Sequence, residues 1–177
     1  WVQAEGIVYE EWIPSVNVLP EMTIPPEWER YIAVDFGFQN PFVAQWWAVD
    51  HDGRLYCYRQ IYQTKLPIDE AAQMIRHYID QDAAKGISAP RAIVCDHDAG
   101  ERAMLTKHGG FPTVAARKEV QPGIQAVKAR MRKAGDGMPR LFVLRDSLVR
   151  RDQSLVERSL PTDLITEIDG YVWDSRS

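Results

Sequence analysis

Several features that would assign the chain to a broad class are missing from its 177 residues. No apolar run approaches the roughly 20 residues that a membrane-spanning helix needs, and the first residue is Trp1, so we expect neither an anchor nor a signal peptide. The two cysteines, Cys57 and Cys95, lie in apolar runs, which predicts packed, reduced thiols rather than a disulfide framework or a zinc site. No internal repeat occurs, which argues against a repeat architecture. Since no Gly-x-x-x-x-Gly-Lys-Ser/Thr phosphate loop occurs either, we do not expect ATP hydrolysis by this chain.

A basic stretch stands out against an acidic average. The formal net charge is −4, but residues 117–151 hold ten Lys/Arg and three acidic residues, a local net charge of +7 that leaves −11 for the remainder. This asymmetry is compatible with a polyanion on one surface and carboxylates that gather metal ions elsewhere. A solvated amphipathic helix would explain the same stretch without any function.

The hydrophobic fraction, 45%, is sufficient for one compact domain with a core. Residues 1–30 are rich in Pro and Glu without a sustained period, and we expect them to lie against a domain formed by residues 31–177. That domain begins with strand-like runs at residues 31–35, 42–49 and 54–62. Because an Asp-Gly turn at residues 50–53 joins the last two runs, we predict an antiparallel three-strand meander.

The pattern then changes to alternating helices and strands. Apolar residues at helical spacing from Ile68 to Ile79 predict a helix that ends before Gly86. The remaining predictions are a strand at 91–95, a helix at 100–107, a short strand at 112–116, a helix at 122–133 and a strand at 140–144, followed by a further strand and a helix. This order predicts an α/β fold with a mixed sheet, the meander plus parallel strands, flanked by helices. Ribonuclease H-like folds use the same order.

Two aspartates come directly after buried strand-like runs. Asp35 follows Ile-Ala-Val, and Asp96 follows Ile-Val-Cys. If the two strands are neighbours, the carboxylates project from adjacent ends and can share hard cations such as Mg²⁺ or Mn²⁺. Two such ions about 4 Å apart can activate a water and stabilise the leaving oxygen in phosphodiester hydrolysis. Acidic residues also end strands as turn formers, so the spacing alone leaves both interpretations open.

Further charged residues near these positions are weaker candidates. Asp98 is a candidate third metal ligand, although an Asp just before a helix more often caps that helix. His97 is more often a surface or hydrogen-bonding residue than a ligand. Four cations in the basic stretch are candidates for binding DNA phosphates, which would give affinity without sequence preference. They are Arg117, Lys118, Lys128 and Arg132.

Short blocks along nearly the whole chain resemble the C-terminal nuclease domain of the large terminase subunit of tailed bacteriophages. One is Ala-Val-Asp-Phe-Gly-Phe-Gln-Asn-Pro at residues 33–41, and another is Val-Cys-Asp-His-Asp at residues 94–98. Their order and spacing are what make the resemblance specific. The other blocks are residues 5–9, 52–56, 118–127, 137–142 and 170–174.

The resemblance implies a function in viral DNA packaging. The family's nuclease cuts concatemeric viral DNA, and a separate N-terminal ATPase domain, outside this sequence, drives packaging. Asp35 and Asp96 match its first two metal ligands in a two-metal Mg²⁺ or Mn²⁺ site. The family's third acid usually lies in a helix that follows the block at residues 170–174, and this sequence ends at Ser177. We therefore expect this chain to lack the end of the domain and to be weakly active alone.

The resemblance also implies partners and a location. The partners would be double-stranded DNA, the portal protein and the small terminase subunit, with no membrane, in the cytoplasm of a bacterial host.

Three other functions remain open from the sequence. Another ribonuclease H-like nuclease, a resolvase or a transposase, would share the two aspartates but not the blocks at residues 5–9 and 118–127. An actin-like nucleotide-binding domain also has Asp-x-Gly after its first strand, but it needs a second phosphate hairpin that is not found. A non-catalytic module could use the basic stretch to bind DNA or the portal.

Overall fold

The computed structural model of the chain describes residues 6–173. Its strands are β1 (Val18–Leu19), β2 (Glu29–Asp35), β3 (Phe42–Val49), β4 (Leu55–Gln63), β5 (Ala92–Cys95), β6 (Val114–Ala115) and β7 (Leu141–Leu144). Its helices are α1 (Pro14–Asn17), α2 (Ile68–Ala84), α3 (Ala99–Gly109), α4 (Val120–Met131), α5 (Gln153–Glu157) and α6 (Leu164–Gly170). The strands form one sheet in the order β1-β7-β4-β3-β2-β5-β6.

The predicted meander is confirmed. Strands β2, β3 and β4 pair antiparallel in sequence order. The side chains of β2 and β3 alternate between the two faces of the sheet, as the period of two requires. Strand β4 shifts register opposite Trp46 and Trp47, which interrupts its alternation. Trp46 is fully buried on one face, whereas Trp47 is half-buried on the other. In the turn between β3 and β4, Gly53 has φ +76°, a backbone conformation that glycine adopts without strain.

The remaining strands are parallel additions to this meander. Strand β5 pairs with β2, and β6 pairs with β5, on one side. Strand β7 pairs with β4, and β1 pairs with β7, on the other. The predicted mixed sheet is therefore confirmed.

Helices cover both faces of the sheet. Helices α2 and α3 pack on the face that contains Ile32, Trp46 and Ile93. Helices α4 and α6 pack on the opposite face, against Cys57 and Leu141. Cys57 and Cys95 are buried free thiols, as predicted. Among the described residues, no helix is long and apolar enough to cross a membrane.

Two parts of the chain differ from the prediction. The N-terminal segment contributes an edge strand, β1, which is too short at two residues to show any period. Asn17 fixes this segment, because its buried amide accepts from the Ile13 N–H at 2.9 Å and donates to the Leu141 carbonyl at 3.0 Å. The further strand predicted after residue 144 is wrong for the described residues, where only isolated bridges form at Leu148 and Val172.

Candidate metal and nucleic-acid site

The two candidate aspartates lie side by side. Asp35 is the last residue of β2, and Asp96 is the first residue after β5, the parallel neighbour of β2. In the register of this pair Val34 lies opposite Cys95, and the Asp96 N–H donates to the Val34 carbonyl at 3.1 Å. The strand ends that hold Asp35 and Asp96 are called the Asp35 edge below. The predicted adjacency of the two strands is confirmed.

The carboxylate of Asp35 is in an unfavourable electrostatic environment. Its burial and the nearby charge of Asp96 raise the pKa of Asp35 above its ordinary value. Asp96 has a partner of its own, because its Oδ1 lies 2.6 Å from Nδ1 of the exposed His97. A neighbouring like charge disfavours the ionised form of Asp35, and a cation bound beside both carboxylates would offset this effect.

A third carboxylate lines the same cavity as Asp35. Glu167 on α6 and Asp35 line a cavity of about 300 Å³, together with Gln45 and Tyr171. Burial and the charge of Asp35 raise the pKa of Glu167, against the opposing effect of a hydrogen bond from Tyr62. Glu167 was not predicted from the sequence as a site residue.

A buried amide fixes the helix that presents Glu167. Gln60 on β4 is 1% exposed, and its Oε1 accepts from the Leu164 N–H, at the start of α6, at 2.9 Å. Its Nε2 donates to the Ser147 hydroxyl at 2.8 Å. The start of α6 is further stabilised by a capping box between Asp163 and Thr166. The orientation of Glu167 therefore depends on contacts between distant parts of the chain.

The residues present suit one mode of metal binding. Within residues 6–173, no group of three or more His, Cys, Asp or Glu could by itself hold a metal ion. Mg²⁺ does not need such a group, because it usually keeps several waters and binds one or two carboxylates together with substrate phosphates. The Asp35–Asp96 pair supplies the carboxylates that this mode requires.

Asp98 acts as a helix cap. Its Oδ1 accepts from the Glu101 N–H at 2.9 Å at the start of α3, so the capping interpretation is confirmed. Asp98 also lines a cavity of about 460 Å³ together with Asp96 and Phe38. A role of Asp98 in metal binding stays a prediction.

The loop between β2 and β3 is tightly constrained next to Asp35. A Cβ atom on Gly37 would lie 2.4 Å from the Pro41 carbonyl oxygen, so only glycine fits this close approach. The Phe38 carbonyl accepts from the Lys65 N–H at 2.6 Å. The backbone that follows Asp35 is thereby joined to the end of β4.

The four predicted DNA-binding cations do not lie together. Arg117 and Lys118 are exposed just after β6, at the Asp35 edge, because the Ala116 N–H donates to the Cys95 carbonyl at 2.7 Å. Lys128 and Arg132 contact Glu11 at 3.5 and 2.8 Å.

Helix α4 carries Lys128 and Arg132 to the opposite edge. The Arg130 carbonyl accepts from the Arg140 N–H at 2.7 Å, and Arg140 directly precedes β7. Strand β7 begins beside the β3–β4 turn, since Leu141 lies opposite Leu55. We call this opposite edge, which contains Asp50 and the turn, the Asp50 edge.

The fold of this chain is similar to solved structures of phage large terminases. The sequence matches no protein-family model and no curated protein. The structure of a large terminase from a thermophilic bacteriophage, in complex with ADP, has a TM-score of 0.72 and 22% identity over 99% of this chain. This chain covers 39% of that chain. The P22 large terminase nuclease domain has a TM-score of 0.64 and 14% identity, with 96% of this chain and 84% of that one covered.

The seven-stranded mixed sheet and these similarities define the fold of the described residues. It is the ribonuclease H-like α/β fold that the sequence predicted. Solved structures of phage large terminases share it. At identities of 14 to 22% the similarity establishes the fold, so function has to be argued from the site.

Proposed function

We propose that this chain is the nuclease domain of a phage DNA-packaging terminase, a divalent-metal-dependent endodeoxyribonuclease that cuts concatemeric viral DNA. The observation that supports this most strongly is the position of Asp35 and Asp96 at the adjacent ends of the parallel strands β2 and β5. The fold is shared with the P22 large terminase nuclease domain. Neither observation would suffice alone, because folds host many functions and acidic residues often end strands.

The proposed chemistry assigns a role to each carboxylate. Asp35 and Asp96 would hold the Mg²⁺ or Mn²⁺ ions of a two-metal site. When bound, these ions supply an activated water and stabilise the departing 3′ oxygen. Glu167 lies across the cavity from Asp35, and its raised pKa suits it to take up a proton at its carboxylate oxygen.

The proposed substrate is double-stranded DNA without sequence preference. Arg117 and Lys118 are exposed at the same edge as Asp96, where they can bind phosphates. Lys128 and Arg132 are poorer candidates, because they contact Glu11 and lie near the Asp50 edge. By the same similarity, the portal protein and the small terminase subunit are proposed as further partners in the cytoplasm of a bacterial host.

The test is Mn²⁺-dependent nicking of supercoiled plasmid by Asp35→Asn and Asp96→Asn. Loss of a residue that only supports a metal ligand already costs about 10- to 100-fold, so loss of a direct ligand should lower the rate at least about a hundredfold. Asp52→Asn is the matched control, because Asp52 is exposed in the turn at the Asp50 edge. Nicking by both aspartate variants at the wild-type rate would refute the proposed site.

A second readout is needed because the wild-type chain is expected to be weakly active. Mn²⁺ binding, measured by electron paramagnetic resonance, should weaken in both aspartate variants and stay unchanged in the control. Equal Mn²⁺ binding by all four proteins would exclude Asp35 and Asp96 as ligands. Robust nicking by the wild-type chain would support the nuclease and contradict the expectation that it lacks part of its site.

A further inference from the structure

A second group of cations lies at the Asp35 edge, on the side of the two aspartates away from Arg117. The segment after β7 runs alongside the end of β4, because the Val149 N–H donates to the Gln60 carbonyl at 2.9 Å. The Thr64 N–H and hydroxyl donate to the Asp152 carboxylate at 2.8 and 2.7 Å. These contacts bring Arg150 next to Lys65, and the two line one cavity of about 530 Å³.

Lys65 and Arg150 have free charges. Both side chains belong to exposed residues, and within residues 6–173 neither has a carboxylate within 4.0 Å. The acidic residues that line the same cavity are Glu70 and Asp152. Asp152 is already occupied, because both of its oxygens accept hydrogen bonds from Thr64 or Ser154.

Arg151 is the third cation of this cavity, but it is engaged elsewhere. It donates to the Thr162 hydroxyl, and its guanidinium lies 3.8 Å from the Asp163 carboxylate. Arg151 therefore contributes to the local field but is less free to bind a ligand. Among the described residues, the free cations of this cavity are therefore Lys65 and Arg150.

The position of Lys65 is fixed by the backbone. Its φ is +52°, which is uncommon for a residue with a side chain. Its N–H donates to the carbonyl of Phe38, in the loop that directly follows Asp35. Since this loop is closely packed at Gly37, the hydrogen bond places the Lys65 backbone beside the end of β2.

We infer that Lys65 and Arg150 form a second phosphate-binding surface, so that duplex DNA crosses the Asp35 edge between this surface and Arg117. This inference rests on the proposed function and adds the path of the substrate. Strand β4 is four strands from β6 in the sheet. At about 4.8 Å per strand the separation is roughly 19 Å, which corresponds to about six base pairs of duplex at 3.4 Å each.

The geometry places the two aspartates between the two cationic groups. Strands β2 and β5 lie between β4 and β6 in the sheet order. A duplex bound at both groups therefore presents its backbone to Asp35 and Asp96. Phe38 lies in the loop between β2 and β3 with 51% of its surface exposed. Its uncharged ring can contact a sugar or a base there.

The test is the affinity of Lys65→Gln and Arg150→Gln for a 30-base-pair duplex, measured by fluorescence anisotropy without divalent metal. Each phosphate contact contributes a slope of about 0.9 to the salt dependence of duplex binding. Each variant should therefore bind about eightfold more weakly at 0.1 M salt and about fourfold more weakly at 0.2 M. Phe38→Ala should also weaken binding, but with no change in the salt slope.

Lys85→Gln is the matched control, because Lys85 is exposed just after α2, towards the Asp50 edge. It should bind DNA like the wild type with the same salt slope. Thermal unfolding of each variant verifies that only charge has changed. An unchanged affinity and slope in both Lys65→Gln and Arg150→Gln would overturn the proposed surface, as would an equal loss in Lys85→Gln.

The result is separable from that of the proposed function. Duplex affinity without metal does not depend on Asp35 or Asp96 as ligands. Weaker binding by the two cation variants would support the surface even if Asp35→Asn nicked plasmid normally. Conversely, a nuclease that loses activity in Asp35→Asn but keeps full duplex affinity in both cation variants would retain its function and lose this surface.

Discussion

Carboxylates at the two edges of the sheet differ in their electrostatic environment. At the Asp50 edge, Arg54 contacts Asp50 at 3.2 Å and Asp136 at 2.8 Å. Hydrogen bonds lower the pKa of Asp136 to about 2, and those from Arg54 and Tyr56 outweigh burial to lower the pKa of Asp50. At the Asp35 edge, burial and neighbouring carboxylates instead raise the pKa of Asp35 and of Glu167. Asp152 is the exception at this edge, because hydrogen bonds from Ser154 and Thr64 outweigh burial to lower its pKa.

This difference separates charges that stabilise the fold from charges that cost stability. An acidic group with a lowered pKa favours folding once it is ionised, whereas one with a raised pKa opposes it. The cations follow the same division, since Lys128 and Arg132 are paired near the Asp50 edge. Within the described residues, Arg117, Lys118, Lys65 and Arg150 have no carboxylate within 4.0 Å. Acidic groups with a raised pKa and, among the described residues, cations without an acidic partner lie at the same edge, and both features support the proposed binding of metal ions and phosphates there.

Apart from the two metal-binding aspartates, the largest expected effect is at Glu167. Replacing Glu167 by Gln removes the proposed proton acceptor and should lower Mn²⁺-dependent nicking about a hundredfold, the lower range for general-base catalysis. The loss should come with a changed pH profile, because a carboxylate that accepts a proton makes the wild-type rate rise with pH as it ionises. Asp169→Asn, an exposed position on the same helix, is the control. An unchanged pH profile in Glu167→Gln would leave Glu167 with a structural role only.

The next effect contrasts the cations of the two edges. Neutralising Arg117 or Lys118 to Gln should weaken duplex binding about eightfold each at 0.1 M salt, with a loss of about 0.9 in the salt slope. Neutralising Lys128 or Arg132 should change affinity by less than about twofold, because both are paired with Glu11. Fluorescence anisotropy at several salt concentrations measures both. If variants of Lys128 and Arg132 lost as much duplex affinity as variants of Arg117 and Lys118, DNA binding could not be assigned to the Asp35 edge.

A smaller effect is expected on stability at the Asp50 edge. Asp50 accepts hydrogen bonds from the N–H groups of Asp52 and Arg54, the Arg54 guanidinium and the Tyr56 hydroxyl. Asp50→Ala leaves the two backbone N–H groups and the Tyr56 hydroxyl without this partner, whereas Arg54 keeps Asp52 and Asp136. The change should cost about 1 to 3 kcal/mol of unfolding free energy. Urea denaturation at neutral pH measures this cost. The wild-type advantage should shrink as the pH falls below about 4, since the lowered pKa of Asp50 makes its stabilisation depend on ionisation.

The smallest expected effect is a gain in stability when Asp35 is replaced, opposite in sign to the loss at Asp50. Because the pKa of Asp35 is raised in the folded state, its ionised form opposes folding above that pKa, and the cost disappears as the pH falls. Asp35→Asn should therefore unfold at a slightly higher temperature than the wild type at pH 7.5 without metal. The difference should vanish towards pH 4. Calorimetry that found Asp35→Asn less stable at pH 7.5 would show that Asp35 serves the fold.

The sequence predicted the parts of the site that depend on local pattern. Asp35 and Asp96 each end an apolar run, and parallel strands bring such ends together, so their adjacency was predictable. Glu167 was not, because α6 is seven residues long, too short to show a helical period. The only local signal was its cap, Asp163 three residues before Thr166. Its position across from Asp35 depends on Gln60, which lies 104 residues away in sequence from its partner on α6.

The positions of the basic residues in the fold could not be predicted from the sequence pattern either. The sequence grouped Lys128 and Arg132 with Arg117 and Lys118, because all four fall in one basic stretch. Helix α4 separates them, since it begins just after β6 and ends before β7, which starts at the opposite edge. Conversely, Lys65 and Arg150 are far apart in sequence and meet because the segment after β7 follows β4.

The most direct test of the central claim is a crystal of this chain soaked in Mn²⁺, with data collected at a wavelength where manganese scatters anomalously. The account predicts an anomalous peak bound by the carboxylates of both Asp35 and Asp96, on the side that faces Glu167. A peak that contacts neither carboxylate, or none at Mn²⁺ concentrations that support nicking, would contradict it.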